Sequence, residues 1–372
     1  MSKKVFVGMS GGVDSSVTAA LLKDQGYDVT GVYMKNWSQD LPGFHCPWKE
    51  DYQDAKRVAV QLGLPFKMYD FEKEYRQKVV NYMVAGYRAG ITPNPDIMCN
   101  QEVKFKLFLE TALEDGADMI ATGHYARVVD RNWQMANGDA ANAAKQHPTT
   151  NYQSPTALFA AKDINKDQSY FLYRVSEEAL GKSLMPIGEL QKPDVRKLAA
   201  RLGLATAEKK DSQGICFVGK VGIKDFLLAE LGEQPHGPIL DQNGKEIGEH
   251  DGALFYTIGQ RHGLNVGGGL PYYVVGKDMS KNEVYVTTDL SDDRLWKKEL
   301  KLASLHWINA AAEAGKPYQV RTRYRAPLVQ CSIDINGEGA VVKLKDEVRA
   351  ITPGQSAVLY DGDRVIGGGV VV

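Results

Sequence analysis

One short run does most to limit how this chain folds, namely Ser10-Gly11-Gly12-Val13-Asp14-Ser15-Ser16. It follows an apolar run at 5–9, which predicts a buried strand, and it opens a helical pattern at 14–25. Adjacent glycines allow a tight turn and a close backbone approach, and the first amides of a helix attract negative charge. The run therefore predicts a strand–turn–helix unit that cradles an anion such as phosphate. The simpler interpretation is a plain strand-to-helix connection with a serine cap.

The N-terminal part of the chain repeats this order of elements. Strand patterns recur at 28–34, 66–71 and 118–123, and helical patterns at 51–62, 72–89 and 101–115. Strands that alternate with helices predict an α/β fold with a doubly wound parallel sheet. Ligands of such sheets bind beyond the carboxyl ends of the strands, where the glycine turn and a second turn at Gly123-His124 both lie.

The residue pattern of the remaining sequence changes twice. A length of 372 residues suggests two or three domains. The stretch 131–156 is rich in Asn, Ala and Gln and predicts a surface excursion, whereas 164–235 is helical in pattern, including 192–202. A hairpin pattern at 272–288 and strand patterns at 318–325, 328–335, 340–345 and 356–360 predict a C-terminal all-β barrel. We predict domains at 1–163, 164–249 and 250–372, of which the second is a small central domain.

Composition excludes several classes of protein. Lys and Arg number 45 and Asp and Glu 46, so the net charge of −1 requires any nucleic-acid site to be a local patch. Four cysteines without a C-x-x-C pair indicate neither a disulfide scaffold nor a structural zinc site. The apolar run near the N-terminus is too short for a signal peptide or a membrane span. We expect a cytoplasmic protein with no membrane contact and with thiols available for chemistry.

The anion-binding run has a more specific resemblance. The chain contains neither G-x-x-x-x-G-K-[ST] nor G-x-G-x-x-G. Its serine-glycine loop resembles the pyrophosphate loop of the ATP pyrophosphatases, which cleave ATP between the α and β phosphates. The resemblance implies ATP as cofactor. Because Asp14 would repel phosphate directly, we expect Asp14 to hold Mg²⁺.

Two of the cysteines have settings that favour chemistry. Cys99 precedes Asn100, which predicts an N-cap for the helix at 101–115, and a helix N-terminus favours the thiolate. Cys216 follows Lys209 and Lys210, which also favour a thiolate. Each cysteine is therefore a candidate nucleophile, although either residue could equally be a small buried hydrophobe.

The other two cysteines carry less information. Cys46 lies in a loop pattern and has no evident partner. Cys331 alternates with Val329 and Ile333, which predicts a core strand.

Motifs spread over nearly the whole chain carry a closer resemblance; in order they are SGGVDSS, NPDIMCN, GHYAR, KDQSYFL, DSQGICFVG, YTIGQRHGL and TPGQ. By these motifs the chain is similar to the tRNA-specific 2-thiouridylase family. The resemblance implies an adenylating α/β domain, a central domain and a C-terminal barrel. It also implies sulfur insertion at C2 of the wobble uridine in tRNAs that read Lys, Glu and Gln codons, with a persulfide donor or sulfur-relay protein as partner.

The same resemblance implies roles for particular residues. Cys99 would be the nucleophile, and Cys216 would carry sulfur as a persulfide. The residues implied at the ATP site are Gly8, Met9, Ser10, Gly11, Gly12, Val13, Asp14, Ser15, Met34 and Gly123. Those implied to meet the target base are Asn94, Pro95 and Asp96. Those implied to contact tRNA are His124, Lys166, Asp167, Gln168, Arg323, Tyr324 and Gln355. The family's pattern has a short hairpin where this chain has 131–156, so that segment's contacts are in doubt.

The chemistry of these residue types suits the implied reaction. The C2 oxygen of uracil is a poor leaving group, and transfer of AMP to it makes it a good one. A persulfide on Cys216 can then deliver sulfur to C2, and attack by Cys99 on that persulfide leaves a disulfide for a cellular thiol to reduce. In the other order Cys99 first attacks C2. Asp96 could move a proton, or could equally be a turn former after Pro95.

A second group of residues suits RNA. Arg321, Arg323 and Arg325 alternate in the strand pattern, which puts them on one face with Tyr324 on the other. Arginine suits phosphate and tyrosine suits base stacking, although a solvated barrel face is equally consistent with this spacing.

Two other functions fit parts of the sequence. One is an amidating or ligating synthetase of the same ATP pyrophosphatase type, which would need no paired cysteines. The other is a tRNA-binding protein with a regulatory ATP site, against which Asp14 and both cysteines argue.

Overall fold

The N-terminal part of the molecule is built on a parallel sheet. The computed structural model describes residues 2–130, 156–211, 221–264, 266–267, 269 and 271–372. Five strands form this sheet in the order β3-β2-β1-β4-β7; they are β1 (Lys4–Gly8), β2 (Asp28–Lys35), β3 (Phe66–Asp70), β4 (Met119–Thr122) and β7 (Ser183–Leu184). The four strands predicted from the sequence are confirmed, and so is the predicted α/β class.

Burial on both faces of the sheet explains why the apolar run of the central strand β1 is continuous. Val5 and Val7 belong to the core on one face of the sheet, and Phe6 belongs to the core on the other. A parallel strand covered on both faces has no polar side to show in its sequence. The strand therefore delivers the glycine turn to the carboxyl edge of a sheet that is buried on both faces.

Helices cover the sheet, and most lie where the sequence predicts them. In chain order they are α1 (Val13–Asp24), α2 (Trp48–Gln61), α3 (Glu72–Tyr75), α4 (Asn81–Arg88), α5 (Pro95–Met98) and α6 (Phe108–Glu114). Two π-helical segments, Arg76–Val80 and Cys99–Leu107, join α3 to α4 and α5 to α6.

The helix predicted at 101–115 begins earlier than expected. The side chain of Asn94 accepts hydrogen bonds from the Asp96 and Ile97 amides at 3.1 and 3.3 Å, so the helical stretch starts at Pro95. Asn100 lies inside this stretch, and the prediction that it is the N-cap is wrong. Two asparagines compete for the start, and Asn94 wins because a proline follows it at the first helical position.

The chain continues through further helices to a second, four-stranded sheet. The helices are α7 (Glu177–Gly181), α8 (Lys192–Arg201) and α9 (Ile223–Leu231), with 3₁₀ turns at Ser169–Leu172, Pro186–Glu189 and Ala253–Phe255. The sheet has the order β10-β11-β8-β9, where β8 is Gly237–Leu240, β9 is Glu246–His250, β10 is Tyr273–Asp278 and β11 is Glu283–Thr287. The antiparallel pairing of β10 with β11 confirms the predicted hairpin.

A closed barrel of six antiparallel strands forms the C-terminal part and confirms the predicted all-β barrel. The strands are β12 (Trp296–Trp307), β13 (Tyr318–Arg321), β14 (Val329–Asn336), β15 (Gly339–Arg349), β16 (Ser356–Asp361) and β17 (Arg364–Val371). Pairing of β12 with β17 closes the barrel. The start of β17 also pairs with β6 (Thr156–Ala160), which pairs in turn with β5 (Ala126–Asp130).

The strand predicted at 318–325 is shorter in the structure. Strand β13 ends at Arg321, and the next four residues form a turn in which Arg325 has a positive φ of 62°. The alternation of Arg321, Arg323 and Arg325 on one strand face is therefore wrong. Tyr318 and Val320 are buried in the barrel core, and their alternation with outward-facing residues stops where the strand ends at Arg321.

Some predictions fall outside the described ranges. All but the final residue of the predicted surface excursion, and the whole of 212–220 with Cys216, lie outside them. The predicted domain boundaries stay predictions. Within the described ranges, no helix is both long enough and apolar enough to cross a membrane.

Candidate active site

The turn between β1 and α1 has the geometry of an anion cradle. Gly11 has a φ of +73°, and a Cβ built on it would overlap the carbonyl oxygen of Asp51. Gly12 is the N-cap residue of α1, and no side chain caps that terminus. The Ser10 amide donates to Ser15 Oγ at 3.2 Å, which fixes the turn from inside. The first amides of a twelve-residue helix are thus presented without a side-chain partner.

Neighbouring strand ends pack closely on this turn. A Cβ on Gly123 would lie 2.7 Å from the Ser15 amide nitrogen, so β4 ends directly against the first turn of α1. A Cβ on Gly8 would lie 2.9 Å from Met34 Cε. The sheet therefore brings together the residues that the resemblance assigns to ATP, at the edge where doubly wound sheets bind ligands.

Asp14 has protein partners on both carboxylate oxygens. Lys192 Nζ lies 2.7 Å from Oδ1 and 2.8 Å from Oδ2, and the Tyr125 hydroxyl donates to Oδ1 at 2.9 Å. Within the described ranges, no three His, Cys, Asp or Glu side chains form a group that could hold a metal ion. These donors do not fit Mg²⁺ as they stand, because the ion would have to displace Lys192. The Mg²⁺ predicted at Asp14 stays a prediction, and no step below depends on it.

Lys192 is a site residue that the sequence did not reveal. Its side chain is 9% exposed, and its ammonium group lies 2.9 Å from Asp211 Oδ1 as well as against Asp14. It enters from α8, far along the chain from the glycine turn. Only its place before Pro193 stood out locally, and that place predicts a helix start and no ionic contact.

Three cationic side chains contact the Asp211 carboxylate. Besides Lys192, Lys166 Nζ lies 2.7 Å from Oδ2 and Arg196 Nη2 lies 2.6 Å from Oδ1. Burial raises the pKa of the Asp211 carboxyl, but hydrogen bonds from Lys166 and Lys192 outweigh it and lower the pKa to about 2. Lys192 therefore bridges Asp14 and Asp211, and Asp211 is the last described residue before 212–220.

Replacing Lys192 with methionine is expected to lower the free energy of unfolding by about 1–3 kcal/mol, because two carboxylates lose their shared cation. Urea unfolding followed by circular dichroism measures this. Lys197→Met on the same helix is the control, since its pair with Asp194 is exposed and its loss is expected to cost under about 0.5 kcal/mol. Equal effects of the two substitutions would contradict a special role for Lys192.

Cys99 lies in the second turn of the helical stretch that Asn94 caps. It follows α5 directly and is fully buried. The prediction that Cys99 lies on a loop directly before a helix is wrong, because the helical stretch already begins at Pro95. Asp96 lies within α5 and is half-buried. Asn100 donates to the Phe171 carbonyl at 3.1 Å, while its buried Oδ1 has no hydrogen-bond partner in the described part of the chain.

The remaining cysteines differ from Cys99. Cys216 lies outside the described residues, so the distance between Cys99 and Cys216 is untested. Cys331 is buried in β14, where burial raises its pKa to about 12, and the prediction of a core strand is confirmed. Cys46 is also buried, and its thiol donates to the Trp37 carbonyl at 3.7 Å.

Several residues predicted to contact tRNA make internal contacts. His124 is buried, with Nδ1 2.8 Å from Thr122 Oγ1, and burial together with the charge of Lys104 holds its pKa well below the usual range. Gln168 Oε1 accepts from the Tyr125 amide at 2.9 Å. These contacts place the side chains beside the strand ends, and their roles toward tRNA stay predictions.

Asp167 forms a buried ion pair with the barrel. Arg321 Nη1 lies 2.8 Å from its Oδ2, and the two side chains are 9% and 2% exposed, respectively. The other oxygen of Asp167 accepts from the Ala161 and Ser169 amides at 3.1 Å. The pair joins the segment after β6 to β13, so tRNA contact by Asp167 would require this pair to open.

Replacing Arg321 with methionine is expected to cost about 3–5 kcal/mol of stability, because Asp167 keeps a buried charge without its partner. Thermal and urea unfolding measure the loss. The exposed pair of Lys343 with Asp334 on the same barrel supplies the control, and Lys343→Met is expected to leave the unfolding transition nearly unchanged. Adding Asp167→Asn to the Arg321 variant should recover part of the loss. A loss below about 1 kcal/mol for Arg321→Met would rule out this account.

The predicted RNA-facing residues of the barrel turn also have partners. Arg323 Nη2 donates to the Ile258 and Ala350 carbonyls at 3.0 and 3.1 Å and to Thr352 Oγ1 at 2.8 Å. The Tyr324 ring lies 4.5 Å from that of Phe171. Of the three arginines, only Arg325 is exposed, with its guanidinium 5.1 Å from the Tyr324 ring.

Comparison with known proteins covers nearly the whole chain. Residues 3–220 match a family model described as the tRNA methyl transferase HUP domain. Residues 224–288 match the tRNA methyl transferase PRC-barrel domain, and 297–371 match the aminomethyltransferase beta-barrel domain. The tRNA-specific 2-thiouridylase MnmA of Streptococcus sanguinis is 46% identical in an alignment 374 positions long that covers 99% of this chain and 95% of that protein.

Solved structures share less with this chain. A 4-thiouridine synthetase in complex with RNA and bound ATP is 17% identical, covering 59% of this chain and 46% of that one, with a TM-score of 0.37. NMN synthetase from Francisella tularensis is 14% identical, covering 56% and 66%, with a TM-score of 0.32. TM-scores this low do not support a conclusion about the fold or the function of this chain. The match to the MnmA protein runs almost end to end in both sequences, and this chain therefore belongs to the tRNA-specific 2-thiouridylase family.

Proposed function

We propose that this chain uses ATP to replace the C2 oxygen of the wobble uridine in tRNA with sulfur, acting on tRNAs that read Lys, Glu and Gln codons. The observation that carries the proposal is the nearly full-length match to a protein named as a tRNA-specific 2-thiouridylase. The uncapped start of α1 and the buried cysteine after α5 suit the two halves of such a reaction.

The first half activates the uridine. The amides at the start of α1 bind the pyrophosphate portion of ATP, and the close packing of Gly123 on Ser15 keeps the cradle in place. The C2 oxygen attacks the α-phosphorus, pyrophosphate leaves, and the O-adenylated uridine carries a good leaving group. Asn94, Pro95 and Asp96 hold the base beside Cys99.

The second half transfers sulfur. The terminal sulfur of a Cys216 persulfide attacks C2, and AMP leaves with the former C2 oxygen. The Cys99 thiolate then attacks the Cys216 sulfur, which breaks the S–S bond, releases the thiocarbonyl and forms a Cys99–Cys216 disulfide. A cellular thiol reduces that disulfide. In the other order, Cys99 first adds to C2 and AMP leaves. The terminal sulfur of the Cys216 persulfide then displaces Cys99 from C2, and the released Cys99 thiolate cleaves the S–S bond as in the first route. Asp96 moves a proton in either route.

The proposal includes a partner and a location. A persulfide-bearing donor or relay protein supplies the sulfur to Cys216. We place the enzyme in the cytoplasm, because its cysteines must be reduced after each turnover. We propose that tRNA contacts the partly exposed Lys166, Gln168 and Tyr324 and the exposed Arg325.

A sulfur-transfer assay tests the function. Purified protein, unmodified tRNA, ATP and a ³⁵S-labelled persulfide donor should give labelled tRNA, one AMP and one pyrophosphate for each sulfur transferred. Omission of ATP or of the donor is the control. Ammonia incorporation in place of sulfur would instead support the synthetase interpretation. Absence of tRNA-dependent pyrophosphate release would support a tRNA-binding protein with a regulatory ATP site.

A further inference from the structure

A barrel turn holds the loop that leads to Cys99. This turn, Thr352–Gln355, lies between β15 and β16. The Thr92 amide donates to the Pro353 carbonyl at 2.9 Å, and Gln355 Nε2 donates to the Thr92 carbonyl at 2.7 Å. Both backbone polar groups of one buried residue are therefore bonded to a segment about 260 residues away in sequence.

The fit between the turn and Thr92 is tight. Gly354 has a φ of +90°, and a Cβ on it would lie 2.9 Å from the amide nitrogen and carbonyl carbon of Thr92. The Thr92 hydroxyl lies 3.2 Å from that of Thr257, which precedes the second sheet's β10. Three parts of the molecule thus meet at Thr92, and the barrel side leaves no room for a larger residue at Gly354.

The path from Thr92 to Cys99 is short and stiff. Pro93 packs on α4, where a Cβ on Gly86 would lie 2.7 Å from Pro93 Cγ. Pro93 and Pro95 each have a fixed φ, and Asn94 between them caps α5. Cys99 follows on the same helical stretch. A displacement of Thr92 would therefore move Cys99 instead of being absorbed by the loop.

We propose that the turn Thr352–Gln355 positions Cys99 for sulfur transfer, with Gln355 and Gly354 as positioning residues. The inference rests on the role proposed above for Cys99. It gives Gln355 a task distinct from tRNA contact, since its amide is bonded to the Thr92 carbonyl. The barrel then acts on the reaction through the protein as well as through RNA.

Two variants test the proposal. Gln355→Met keeps the length of the side chain and removes the donor, and Gly354→Ala keeps Gln355 and pushes on Thr92. Each is compared with Gln330→Met, which changes an exposed glutamine on β14. Three quantities are measured: the single-turnover thiolation rate at saturating tRNA, the Kd for tRNA, and the rate at which iodoacetamide labels Cys99 without substrates.

Both variants should lower the saturating thiolation rate by about 10- to 100-fold, as expected for a reacting group displaced by up to about 1 Å. The Kd for tRNA should change less than about twofold, and labelling of the buried Cys99 should become several times faster. Gln330→Met should match the parent in all three. A higher Kd with an unchanged saturating rate would overturn the proposal in favour of tRNA contact.

Two further outcomes are decided by the same data. Unchanged labelling in both folded variants would also overturn the proposal. If Gln355→Met does not fold, Gly354→Ala still decides, because it leaves every donor of the turn in place. Failure of the parent protein to thiolate tRNA would refute the proposed function alone, since Cys99 labelling needs no substrate and still reports on the turn.

Discussion

Replacing Cys99 or Cys216 with serine is expected to reduce sulfur transfer to tRNA to the background of the assay. Serine keeps the shape of the side chain but is a far weaker nucleophile at neutral pH and cannot carry a persulfide. ATP and tRNA should still bind, because neither thiol belongs to the glycine turn. After incubation with a sulfur donor, mass spectrometry should find a persulfide on Cys216 in Cys99→Ser and none at position 216 in Cys216→Ser.

Cys331→Ser is the control for these variants. Its thiol is buried like that of Cys99, but it lies in the barrel core, where burial raises its pKa to about 12. We expect full activity and a stability loss of about 1–3 kcal/mol from the buried hydroxyl. A persulfide on Cys99 in place of Cys216 would reverse the two roles, and full activity of either single variant would end the two-thiol mechanism.

Replacing Gly11 with alanine is expected to weaken ATP binding by about 100-fold or more, because the added Cβ would overlap the Asp51 carbonyl and force the turn to move away from the phosphate. Isothermal titration with a non-hydrolysable ATP analogue measures the change. Thiolation and pyrophosphate release should fall with it, whereas tRNA binding should remain.

Gly26→Ala separates backbone strain from this overlap. Gly26 lies just beyond the other end of α1 with a φ of +85°, and a Cβ there would meet nothing within 4 Å. The variant should lose about 1–2 kcal/mol of stability from the left-handed backbone and bind ATP like the parent. If both glycine variants lost ATP binding equally, general destabilisation and not the shape of the turn would be the cause.

The sheet was predictable because its signals are local. An apolar run such as Val5 to Val7 must be buried on both faces, and a glycine turn before a helix has few alternatives. The same holds for the hairpin that became β10 and β11. The start of the helix at 101–115 was harder to predict, because Asn94 and Asn100 both suit an N-cap and the proline after Asn94 decides between them.

The ionic contacts of the site were not predictable from spacing. Lys192 reaches Asp14 from a helix 178 residues later, and Arg321 reaches Asp167 across 154 residues. Local sequence shows the charge of such residues but not their partner. The end of strand β13 at Arg321 was equally hidden, because Arg323 finds its acceptors at Ile258, Ala350 and Thr352.

Strand β17 must be synthesised before the barrel can close. It follows every other described strand in sequence, yet different parts of it pair with β12, β16 and β6. Until it is in place, the barrel is an open sheet with two unpaired edges, and β6 lacks a neighbour on one side. Contacts of such long sequence separation form slowly, so during synthesis these edges stay exposed to other chains. A chain cut before Arg364 would keep them exposed permanently and is expected to aggregate.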